Sequence, residues 1–190
     1  TVSAKSAATF NENATIDGTL TNNGTLTVGV GDELTVASNA IVTGADGAYV
    51  LQANDADNAL TAADFGGITD TNGGSTIAAT DLSINVTGEM STGEDIQVLT
   101  GITTGVGATL TSVSDNSFIY NFQIEDDGAN ADVTVTRTSL ASFATEGHLS
   151  GAATVLDTLV GSTNTELAQI NDNLAAASTE AEVENIIEST

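Results

Sequence analysis

Between Asn13 and Val36 the chain reads NATIDGTLTNNGTLTVGVGDELTV, nearly one phrase repeated, with Thr-Leu pairs set apart by Gly and Asn. Its apolar members are Ile16, Leu20, Leu26, Val28, Leu34 and Val36, then Ile41, mostly two or six to seven residues apart. A step of two belongs to a strand, and the longer step carries the pattern round a corner into the next strand. The corners hold Asp17-Gly18, Asn22-Asn23-Gly24, Gly31-Asp32-Glu33 and Ser38-Asn39, residue types that take turn or left-handed backbone. A meander of hairpins is compatible with this. Strands of three to five residues with corners so frequent fit a parallel β-solenoid better, each coil stacking on the last with Asn or Thr ladders between coils.

Composition points the same way. Aromatic residues make up 4% of the chain, so the core is built from Val, Ile, Leu, Ala and Thr methyls, which suit close repetitive layers. Proline is absent, where ordinary usage predicts roughly nine or ten, and uninterrupted strand pairing tolerates few. There is no cysteine, which excludes disulfides and thiolate metal sites.

Charge narrows the partners. Twenty-six Asp and Glu stand against Lys5 and Arg137 alone, a formal net charge of -24. Nucleic acid and anionic membrane surfaces would both be repelled, and no run of roughly 18 apolar residues offers a membrane-spanning helix. No direct membrane insertion is expected. The acidic, Thr-, Gly- and Asn-rich balance fits a protein outside the cell or on a bacterial surface. The opening TVSAKSAATF has no charged-then-apolar leader and reads as a mature or trimmed start.

Three regions are expected: a solenoid-like repeat over 1–116, a β-hairpin cap over 117–140 and a helical segment over 141–190. From Gly44 to Leu110 strands continue among larger loops, with a short helical turn in 59–65. At Ser117 the pattern becomes a clean alternation, with Phe118, Tyr120, Phe122 and Ile124 on one face. Val133 and Val135 answer from the next strand, after a broad acidic turn, EDDGANA. From Ser139 the apolar period shifts to about three and a half, through Leu156, Leu159 and Val160, then Leu167, Ile170 and Leu174, then Val183, Ile186 and Ile187. Thr163 with Glu166, and Thr179 with Glu182, fit capping boxes.

A β-repeat region, then VTVTRTSLASFA at the end of an aromatic hairpin, then AATVLDTLV and ELAQINDNLAAAS: this order resembles the end of an autotransporter passenger. The resemblance covers about Ser117 to Thr190. It implies a β-helical passenger ending in a cap-like segment, with Ala/Leu-rich helices leading on toward an outer-membrane barrel. The 190 residues themselves hold no set of strands of about ten residues that would make such a barrel.

No enzyme is expected. The single histidine, His148, reads as a turn or helix-start residue, without a nucleophile elbow beside it. Among ligands, calcium suits the clustered oxygens best. Two clusters are candidates: Asn54, Asp55, Asp57 and Asn58, and Asp126, Asp127, Asn130 and Asp132. Neither is an EF-hand loop; counted from Asp55, the sixth residue is Leu60 where Gly is needed and the twelfth is Gly66 where Glu is needed. Solvated acidic loops are the plain structural alternative. Arg137 is expected to pair with Glu125, Asp126 or Asp127 across the hairpin turn.

The chain is thus expected to be an extracellular structural or adhesive surface protein that assembles with other copies of itself into a filament or surface layer. Its N-terminal segment is expected to add a strand to a neighbouring subunit. The alternative is a calcium-dependent module that binds a glycan or host protein through the loops between 44 and 75.

Overall fold

Twelve short strands follow one another in sets of three: β1 (Ala7–Phe10), β2 (Ala14–Ile16) and β3 (Leu20–Asn22); β4 (Thr25–Val28), β5 (Glu33–Val36) and β6 (Ile41–Thr43); β7 (Ala48–Ala53), β8 (Gly67–Asp70) and β9 (Ser75–Thr76); β10 (Leu82–Val86), β11 (Gly93–Thr100) and β12 (Ile102–Thr103). The computed structural model describes residues 1–37, 40–144, 147–162 and 164–190, with the backbone alone of Gly147 and His148. The Ser38-Asn39 corner and the Thr163 cap lie outside the described residues.

Corresponding members of successive sets pair in parallel, as β1-β4-β7-β10, β2-β5-β8-β11, β3-β6 and β9-β12. The register carries apolar columns inward. Ala8 lies beside Leu26, Leu26 beside Tyr49, and Tyr49 beside Leu82. Ala14, Leu34, Ile68 and Leu99 form a second column. Leu26, Val28, Leu34, Val36, Tyr49 and Leu51 are fully buried, so most inward side chains meet another above and below, the arrangement that gains most dispersion contact per residue. The half-step residues are outward threonines, with Thr15, Thr35 and Thr69 in register.

Of the expected Asn or Thr ladders, threonine supplies the in-register column and asparagine single contacts. Asn22, fully buried, donates through Nδ2 to the Ala48 carbonyl two sets on at 2.9 Å, and its Oδ1 accepts from the Gly24 amide. Hydroxyl contact between sets occurs at Thr76 and Thr103, 3.3 Å apart.

The direction then reverses. β15 (Tyr120–Asp127) and β16 (Asn130–Arg137) form an antiparallel hairpin, and β16 pairs antiparallel with β11, extending the second sheet. Two further short strands, β13 (Thr111–Ser112) and β14 (Ser114–Asp115), join β15 and β10. The hairpin turn is tight where a broad one was expected. Asp127 pairs with Asn130, leaving Gly128 and Ala129 as a two-residue loop, and Gly128 supplies the positive φ of 68° that such a loop needs.

Three helices follow, α1 (Gly147–Thr158), α2 (Thr165–Ala176) and α3 (Glu180–Glu188). The Asn164 side chain caps α2 by accepting from the Glu166 and Leu167 amides, and Thr179 caps α3 through the Glu182 amide. The Glu182 carboxylate also accepts from the Ser178 amide and hydroxyl. Leu174, Val183 and Ile187 face the core as their spacing predicts. Glu89, buried between β10 and β11, fastens the helices by accepting from the Gly161 amide at 2.7 Å and from Asn171 Nδ2 at 3.2 Å. The molecule is therefore mainly β, with parallel sheets and three short C-terminal helices.

The N-terminal segment is used within the chain. β1 pairs with its own β4 along four residues, and Val2 bridges Asn22. The outer edges of β1 and β2 end their sheets.

Candidate functional site

Side chains that carry negative charge gather at two places, one in the loop after β7 and one on the outer face of the hairpin.

In the first, Asp55, Asp57 and Asp64 bring carboxylate oxygens within 4.8 Å of one another. Asp64 was not among the expected candidates; the Thr61 turn brings it there, its Oδ2 accepting from the Thr61 amide at 2.7 Å. Asp55 is buried, and local bonds occupy it. Its Oδ1 accepts from the Asp57 and Ala59 amides and its Oδ2 from the Ser91 amide. Burial pushes its carboxyl up, but the bonds from Ser91, Ala59 and Asn58 outweigh that and hold it below the ordinary range. Asp57 accepts from Ala59, and Asn58 donates to the Gly161 carbonyl at 3.4 Å. Asn54 packs against Gly88 and lines a pocket with Asp55 and Asn58. These bonds fold the loop and tie it to the helices.

In the second, neighbours in sequence separate, because successive residues of a strand face opposite ways. Asp126 turns to the loop after β12. Its Oδ1 accepts from the Thr104 amide at 2.6 Å and the Thr104 hydroxyl at 2.8 Å, and its Oδ2 from the Gly105 and Gly107 amides, each at 3.0 Å. Burial raises this carboxyl, and the four donors more than reverse it. Asn130 accepts from the Gly101 amide at 3.0 Å. Asp127 and Asp132 border an open basin of about 490 Å³ that Glu125, Asp126, Asp95 and Gln97 also line. Asp95 and Glu125 were missed because nothing local marks them; the register of β11 and β15 on β16 brings them in.

Arg137 does not pair across the hairpin turn. Tyr120 lies opposite it, at the open end of the hairpin, so Glu125, Asp126 and Asp127 sit at the other end. Its Nη1 instead meets Asp157 of α1 at 2.7 Å. His148 falls in the first turn of α1.

Set against family sequence models, curated proteins and solved structures, the chain matches none. No helix among the described residues is long and apolar enough to cross a membrane.

Proposed function

We propose that this chain is a structural or adhesive protein of the bacterial surface or exterior, a short β-solenoid of the autotransporter-passenger kind, which joins another copy through its first coil. One observation carries this reading. The inward residues of the first coil, Ala8, Phe10, Ala14 and Ile16, are half-buried, whereas the residues stacked on them, Leu26, Val28, Leu34 and Val36, are 0% exposed. The same inward pattern runs through both coils, so the first coil has a prepared apolar face and two strand edges, in β1 and β2, on which no further strand of the described residues pairs. Edges of this kind pair with further strands, and stacked repeats need their ends covered.

The order of elements, a repeat, an aromatic hairpin, then short helices rich in Ala and Leu, resembles the end of an autotransporter passenger. The strongly acidic surface keeps such a protein soluble and leaves specific contact to the coil end, where Lys5, Glu12 and Asp17 are the charged side chains.

Light scattering and electron microscopy of the purified chain test this. Assembly that rises with concentration is expected. The double variant Ala8→Lys/Ile16→Lys, which points charge inward at half-exposed positions, should stay folded and monomeric. A wild-type chain that is monomeric at every concentration, or a double variant that still assembles, would overturn the reading.

A further inference from the structure

Four carboxylates without a counter-charge meet on the outer face of the sheet made by β11, β16 and β15. Glu125 lies directly opposite Asp132 across the hairpin, and Gln97 lies opposite Asp132 on its other side. Asp127 follows Glu125 by two on the same face of β15. Asp95 stands at a break in the β11 register, in left-handed backbone with φ 57°, and lines the same basin.

Like charges directly opposite in a sheet repel, and the usual answers are absent here. Asp132 is 9% exposed, yet among the described residues its carboxylate accepts no hydrogen bond and makes no ion pair. Arg137 is engaged with Asp157, and Lys5 lies in the turn before β1. Burial, followed by the charges of Asp127, Asp95 and Glu125, pushes the Asp132 carboxyl above the ordinary range. Asp126, one residue from Asp127, shows the contrast: its donors come from the chain itself. Four like charges held side by side on one face repel, and a bound cation is the partner that relieves all four at once.

We propose that Asp95, Glu125, Asp127 and Asp132, with the Gln97 side-chain oxygen, bind one hard divalent cation, calcium by preference. The lining offers oxygen alone and no imidazole or thiolate, which disfavours zinc. Ligands drawn from three strands around an open basin suit the larger, variable shell of calcium better than the strict octahedron of magnesium. This set differs from the sequence cluster it grew out of: Asp126 and Asn130 leave it, while Asp95, Gln97 and Glu125 enter. It stands apart from the coil-end reading and is tested separately.

The test is calorimetric titration and thermal melting of the full chain with calcium chloride, at ionic strength held constant with sodium chloride. A single ion per chain and a rise in Tm are expected for the wild type. Asp132→Asn should raise the Tm of the metal-free chain, since it removes repulsion. It should also weaken calcium binding by at least the roughly tenfold that losing even an outer-shell partner costs. Asp95→Asn, at an exposed position, should weaken binding in the same way if Asp132→Asn does not fold. Asp57→Asn, in the other acidic cluster, should leave binding unchanged. No saturable calcium response, a response unaltered in both site variants, or one lost in Asp57→Asn would overturn the proposal.

Discussion

Arg137 and Asp157 meet at 2.7 Å, joining the last strand of the hairpin to the first helix. Asp157 does more than balance a charge, because its two oxygens also accept from the Ser139 hydroxyl and from the Leu140 and Ala141 amides. One side chain thus fixes the turn between sheet and helices.

Asp157→Ala should therefore cost about 2–3 kcal/mol, less than a wholly buried pair because both partners are slightly exposed. It leaves Arg137, whose Nε is already buried without a partner, with no anion among the described residues. Urea unfolding followed by circular dichroism measures this. A loss under about 0.5 kcal/mol, the ordinary surface range, would show that the turn is held by other contacts.

Position along the stack should set the cost of the same kind of truncation. Leu26→Ala, between Ala8 and Tyr49, should cost about 3–5 kcal/mol through lost transfer energy and a cavity that cannot collapse. Ile16→Ala at the half-exposed end should cost about 1 kcal/mol at concentrations where the chain is monomeric. Equal losses at both sites would mean that the first coil is already covered.

Acid should unfold the chain through a known set of groups. Asp55, Asp126 and Asp157 all have carboxyls held below their ordinary value of 3.8 in the folded state. The folded form binds their protons less readily than the unfolded form, so their stabilisation is present above that value and is lost as pH falls through the lower folded values. Asp132 has the opposite sign, its stabilisation being greatest in acid and lost as pH rises through its raised value. Melting curves between neutral pH and pH 3 should show a fall that is shallower in Asp126→Asn than in the wild type. An unchanged slope would mean that Asp126 does not report on folding.

Much of the stack could be read from spacing. The step of two through Leu26, Val28, Leu34 and Val36 marked the residues that are 0% exposed, and the helical step through Leu174, Val183 and Ile187 marked the faces that pack. Both signals are local, since periodicity is written within one element. The acidic residues could not be sorted that way. Asp126 and Asp127 look alike in sequence, but strand alternation turns Asp126 to the donors of Thr104, Gly105 and Gly107 and leaves Asp127 on the face of Glu125 and Asp132. The partner of Arg137 was hidden for a related reason: nearness in sequence suggested the hairpin turn, while the pairing of Tyr120 with Arg137 places it at the opposite end.

The reversal at β16 also sets a limit on number. A parallel stack grows only while each new strand runs the way of the last, and the strand that follows β11 runs backward. The two ends of that second sheet are therefore unlike, and the first-coil end offers parallel edges, in β1 and β2, beside half-buried apolar side chains. Two copies meeting there would be related by a twofold axis, each using the same patch, and the contact would then be used up. End-to-end pairing alone makes dimers; a longer array requires a second, lateral contact from a surface that carries almost all of the molecule's negative charge.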